Sequence, residues 1–155
     1  MRIPAYLLIP VVVLSAPLMA QDAQVWSGAE LKQYSKKLKP NLNADHYATE
    51  NLGNYGSHYM LMVYREGNGP AELHAKQTDF YVVQEGSATL HLGGKITESK
   101  EIEPGEVRGK SIEGGKTRKL KPGDVVDIPA NTPHQITLGK GETITYLIVK
   151  IHAKE

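Results

Sequence analysis

From Ser57 to Ile151 the chain is a series of short apolar runs, cut at close intervals by turns rich in Gly, Pro and Asn. His58–Arg65 ends in Glu66-Gly67-Asn68-Gly69-Pro70. Ala71–Ala75 meets the Lys76–Thr78 turn, Phe80–Gln84 meets Glu85-Gly86-Ser87, and Ala88–Leu92 meets Gly93-Gly94. Val125–Ile128, His134–Leu138 and Thr143–Ile151 repeat the pattern after Lys121. Strands of about five residues with such turns predict an antiparallel barrel or sandwich. Lys95–Lys121 is polar and densely but evenly charged. It reads as a long excursion with one solvated hairpin, roughly Lys110–Ile112 against Thr117–Leu120, with a lid or dimer arm as the other option.

Helical periodicity occurs once after the first twenty residues. Ser27 and Glu30 have the spacing of a capping box, Leu31, Tyr34 and Leu38 repeat at helical intervals, and Pro40 stops the run. The pattern predicts a helix from about Gly28 to Lys39, outside the main sheet on its edge or end. Lys32, Lys36, Lys37 and Lys39 form a basic face best read as solvated. Asn41–Gly56 reads as a loop with at most a short strand, and His46 as a surface histidine.

Residues 1–20 change the picture of where the protein works. Arg2 is their only charge, Tyr6–Val13 is apolar apart from Pro10 and the ring hydroxyl, and small residues precede Ala20. A basic start, an apolar middle and a small residue at the end are the marks of a secretory signal. Cleavage is expected after Ala20, with Ala16 and Ala23 as alternatives. The apolar run is too short for a spanning helix and holds prolines. The chain thus divides into a signal peptide (1–20), an N-terminal helix and linker (21–56) and a β-barrel domain (57–155). The protein is expected to be secreted or periplasmic, with no membrane contact after cleavage.

Composition narrows the chemistry. The 155 residues include no cysteine, which removes disulfides, thiolate catalysis and Cys-based zinc sites. Eighteen Lys and Arg against 17 Asp and Glu give no electrostatic case for nucleic acid. No phosphate loop or dinucleotide fingerprint is present, so no organic cofactor is indicated.

The chemistry-bearing stretch is Glu72–Gly86. Glu72 and His74 are two apart and share a strand face. Asp79 opens the next apolar run and Gly86 closes it. A second segment, Gly123 to Leu138, contains Pro129-Ala130-Asn131 and His134. Together the two segments resemble the paired motifs of the cupin superfamily. Glu72-x-His74, four residues, Asp79, six residues and Gly86 match the spacing of the first motif. Gly123, five residues, Pro129-Ala130-Asn131, two residues and His134 match the second.

The resemblance implies an all-β double-stranded β-helix (a jelly roll, the cupin barrel) with one N-terminal α-helix. Carried over by position, it implies a divalent metal, Mn, Fe, Ni or Zn, on Glu72, His74, Asp79 and His134. Four departures stand out: Glu72 replaces the family's first His, Asp79 its Glu, Asn131 its second-motif Gly and Leu138 its Asn. An alternative frame pairs His74 with Lys76. Tyr81, on the Asp79 side of its strand, and His91 are further pocket candidates with Lys76. Two buried carboxylates require a cation or a shared proton.

The function implied is an exported single-domain cupin that binds a small molecule in its barrel with a divalent metal, as an oxygenase or isomerase would. The substitutions at Glu72 and Asp79 keep open a metal-free binding or structural role. A homodimer through edge strands is a third expectation.

Overall fold

The structure, a computed structural model, describes residues 23–153. Residues 1–20, where a signal peptide is expected, lie outside the described residues. Helix α1 spans Gly28–Leu38, and Pro40 turns it into a short 3-10 segment, Lys39–Asn41. Both halves of the capping box form: the Glu30 N–H donates to Ser27 Oγ at 3.2 Å, and the Ser27 N–H donates to the Glu30 carboxylate at 2.7 Å.

Thirteen strands follow among the described residues. They are β1 (Tyr47–Asn54), β2 (His58–Arg65), β3 (Ala71–His74), β4 (Gln77–Gly86), β5 (Ala88–Leu92), β6 (Lys95–Thr97) and β7 (Lys100–Glu103). Then come β8 (Glu106–Gly109), β9 (Ser111–Glu113), β10 (Lys116–Leu120), β11 (Val125–Ile128), β12 (His134–Thr137) and β13 (Ile144–His152). One sheet has the order β1-β2-β13-β4-β11, the other β10-β5-β12-β3-β8-β7, and β6 pairs with β9 alone. Every pairing is antiparallel. The result is the jelly roll that the motif resemblance implied, one form of the antiparallel barrel or sandwich predicted by the turn spacing.

Between the two sheets lies the main core, including Val83, Leu90, Leu120, Ile128, Ile136 and Ile144. Along β13 the inward positions run Ile144, Tyr146, Ile148, Lys150; along β4 they run Val83, Tyr81, Asp79. The barrel interior therefore changes from apolar to ionic along its strands. This polarity gradient leaves room for a site.

Three local expectations are corrected. Helix α1 covers a sheet face, not an edge or end. Its Leu31, Tyr34 and Leu38 pack on Ala48, Met62, Tyr64 and Leu147, which β1, β2 and β13 turn away from the barrel. That second apolar face has to be covered, and the helix covers it. Of the basic side chains, Lys37 pairs with Glu50 at 2.6 Å and Lys39 with Glu66 at 3.1 Å.

Residues 47–54, within the stretch read as a loop with at most a short strand, form a full eight-residue strand. Their polar sequence has little strand signal, and pairing with β2 supplies the structure, with a bulge between Asn51 and Gly53. The 95–121 excursion is not one hairpin. β9 pairs back with β6, and β10 joins β5, which buries Leu120 in the core. Gly114 and Gly115, both at φ +75°, make the break between them.

Candidate metal centre

Three strands bring the ligand candidates together. β3 carries Glu72 and His74 on one face, β4 carries Asp79, and β12 carries His134, which lies opposite Glu72 in the register. One ligand atom from each of Glu72, His74, Asp79 and His134 lies within 4.8 Å of the others. His74, Asp79 and His134 are buried, and Glu72 is half-buried.

The two imidazoles are oriented from behind. His74 Nδ1 is 2.6 Å from Glu106 Oε2, and His134 Nδ1 is 2.9 Å from the Thr132 carbonyl. A carboxylate and a carbonyl only accept, so each Nδ1 carries the hydrogen, and in the neutral ring each Nε2 presents its lone pair. Both Nε2 atoms face the carboxylates: His74 Nε2 is 3.3 Å from Glu72 Oε2, and His134 Nε2 is 3.4 Å from Asp79 Oδ2. Fixing one ring nitrogen so that the other can ligate is how metal-binding histidines are held.

Three buried side-chain atoms among the described residues make no hydrogen bond: His134 Nε2, Arg65 Nη1 and Asp79 Oδ1, the last meeting the Lys150 ammonium only as an ion pair at 2.8 Å. The first and last belong to this cluster. Two nitrogens and two carboxylates with an orphaned lone pair suit Mn, Fe, Ni or Zn chemically.

A fifth residue was missed from sequence. Lys150 on β13 lies directly across from Asp79 on β4. Its Nζ is 2.7 Å from His74 Nε2 and 2.8 Å from each Asp79 carboxylate oxygen. A cation is thus already present against the buried Asp79 carboxylate. The signal lay in alternation: Lys150 continues the inward series Ile144, Tyr146, Ile148, in a strand read only as apolar.

The excursion contributes as well. β8 places Glu106 opposite His74 and Arg108 opposite Glu72. Arg108 Nη1 donates to Glu106 Oε2 at 3.2 Å, and Arg108 Nε is 3.8 Å from Glu72. Nothing in the mixed charges of that segment marked these two.

Charge states follow from the surroundings. Burial would raise the Glu72 carboxyl, but His74 and the Arg108 and Lys150 charges bring it down to about 2. Burial would lower His74, but its bonds to Asp79 and Glu72 push it up to about 9. Burial would likewise raise Asp79, yet His134, His74 and Lys150 hold it well below the usual carboxylate range. At 2.7 Å only one of Lys150 and His74 can point a hydrogen at the other.

Tyr81 is buried and donates to Asp79 Oδ2 at 3.2 Å. Burial pushes its phenol well above the ordinary value. The other two pocket candidates stand apart. Lys76 is exposed in the β3–β4 turn, which disfavours the frame that paired it with His74. His91 is half-buried and bonds Thr137 at 2.9 Å. Its neighbours in the alternation, Leu90 and Leu92, face the core, so it points away from the barrel interior.

Comparison of the sequence with family models and with curated proteins gives no match. Solved structures do match. DMSP lyase DddQ of Ruegeria pomeroyi DSS-3 is 20% identical with a TM-score of 0.52, over 78% of this chain and 55% of its own. The polyketide cyclase RemF of Streptomyces resistomycificus is 19% identical with a TM-score of 0.50, over 71% and 68%. A cupin-like protein of Thermotoga maritima is 18% identical with a TM-score of 0.50, over 70% and 74%. The jelly-roll topology and these neighbours agree with the sequence resemblance: the chain has the cupin fold.

Proposed function

We propose that this is an exported protein that binds a small molecule in its barrel, with a divalent metal held by Glu72, His74, Asp79 and His134. The orphaned, buried Nε2 of His134 carries the proposal, since it is aimed at three other potential ligands and meets no donor. Export is supported by the basic, apolar and small-residue order of residues 1–20. When bound, such a metal supplies Lewis acidity. Glu72, kept ionised, also lines a cavity of about 370 Å³ that opens between β1, β2 and β8. A molecule bound in that cavity would meet the ligand cluster at Glu72.

Lys150 favours a second proposal, a metal-free binding cupin. Its ammonium neutralises Asp79 at 2.8 Å from inside the ligand cluster, so a metal is not needed to hold the carboxylates. The two proposals separate in one experiment. Protein purified without chelator is analysed for Mn, Fe, Ni and Zn, and its melting temperature is followed as each is added to the chelator-stripped form. Bound metal and a rise in melting temperature, both lost in His74→Ala and His134→Ala, are expected for the first. No metal and no rise with any of the four leaves the second.

A further inference from the structure

Arg65, at the end of β2, is 8% exposed, and its Nη1 has no hydrogen-bond partner. Its side chain shares the inward face of β2 with Val63 and Leu61. Nε donates to the Tyr146 hydroxyl at 3.3 Å, and the guanidinium carbon lies 4.6 Å above the Tyr47 ring. A buried charge is normally paired. Among the described residues no carboxylate lies within 4.0 Å of Arg65. The other inward charges of its cavity are engaged: Arg108 with Glu72 and Glu106, Lys150 with Asp79. Asp45 is exposed at the rim.

Arg65 lines the 370 Å³ cavity with Glu72 and Lys150. It also lines a void of about 20 Å³ whose wall includes Glu72, Tyr81 and His134. Arg65, Glu72 and Tyr81 thus line both spaces, which sets the unpaired guanidinium and part of the ligand cluster on common walls. Arg108, Thr49 and Asp45 add polar wall, Arg108 being held by Glu72 and Glu106, while Leu61, Val63, Ile148 and Tyr146 form an apolar and aromatic stretch. The volume is in the range of small-molecule sites.

We infer that the barrel takes a small organic carboxylate, ideally with an aromatic or branched apolar body, whose anionic group is received by Arg65. The planar fork of a guanidinium matches a carboxylate, and the bond is charge-assisted in a buried setting. The body of the ligand lies along the apolar wall and reaches toward Glu72 and Lys150. This rests on the proposal that the barrel binds a small molecule and names that molecule's class. It does not require the metal.

Benzoate and its neutral isostere benzamide are the probes, titrated into chelator-treated full-length protein at constant ionic strength. Binding is read by calorimetry and by melting temperature. Benzoate is expected to bind at least tenfold more tightly than benzamide. Arg65→Gln should abolish that preference while still binding benzamide. Arg65→Lys, which keeps the charge and loses the fork, should retain part of it and serves where Arg65→Gln does not fold. Equal binding of both probes, or benzoate preference that survives in Arg65→Gln, overturns the carboxylate assignment and leaves the small-molecule proposal standing. Failure of wild type to bind either probe up to solubility overturns both. The metal analysis of the preceding section is independent of every one of these outcomes.

Discussion

Replacing Lys150 by Met tests the ionic logic of the barrel most directly. The side chain of Lys150 is 11% exposed and that of Asp79 1%, and they meet at 2.8 Å. Removing one partner of a buried ion pair costs about 3–5 kcal/mol, because the other charge stays buried without compensation. The low end applies here. His74, pushed up to about 9 and 3.6 Å from Asp79 Oδ2, remains as an alternative cation. A loss of about 3 kcal/mol in the chelator-treated protein is therefore expected, measured by urea denaturation at pH 7. The same substitution empties the position a metal must share. If a divalent ion displaces Lys150 when it binds, the variant no longer bears that cost. At 1.4 kcal/mol per factor of ten, zinc or manganese should bind about 10²-fold more tightly to Lys150→Met than to wild type. Titration calorimetry reads this. Stability within about 0.5 kcal/mol of wild type, together with unchanged metal affinity, would refute the placement of Lys150 as the internal counter-cation.

The pH profile of the metal-free protein should have two limbs. His74 is raised from 6.5 to about 9, so its contribution is complete below pH 6.5 and disappears as pH rises toward 9. Glu72 is lowered from 4.5 to about 2, so its contribution is complete above pH 4.5 and disappears as pH falls toward 2. Denaturation midpoints from pH 2 to 10 should show a plateau between these limbs, and His74→Gln should flatten the alkaline one; a profile that is level from 6.5 to 9 contradicts this. Gly86 sits at φ +77°, and an added Cβ would lie 2.0 Å from the Thr143 carbonyl oxygen. Gly86→Ala should therefore cost more than the roughly 1–2 kcal/mol of the left-handed backbone alone, and a melting temperature equal to wild type would show that the β4–β13 junction yields.

Much of the site could be read from the sequence because its spacing is local. Glu72 and His74 share a strand face by alternation alone, and Gly86 closes β4 where a side chain would strike Thr143. The run of short strands and turns was sufficient for an antiparallel barrel or sandwich, and the motif resemblance narrowed it to the jelly roll. Only a motif resemblance joined His134 to Glu72, and the register of β12 against β3 makes that meeting physical.

Residues whose roles arise from pairing were not legible. Lys150 becomes a counter-cation because β13 lies beside β4 with Lys150 opposite Asp79. Glu106 and Arg108 enter the site because β8 adds to β3, a pairing that a mixed-charge segment does not announce. Arg65 looked like the polar end of an apolar strand, and burial beside Tyr47 and Tyr146 makes it an unpaired charge. Strand 47–54 exists by its pairing to β2, and α1 lies on a sheet face because β1, β2 and β13 leave Ala48, Met62, Tyr64 and Leu147 to be covered. The sequence by itself determined which side chains share a strand face, since that follows from a period of two. Tertiary structure decided which faces meet, since strand order and register join segments as far apart as His58 and Ile151, and that set the charges of the site.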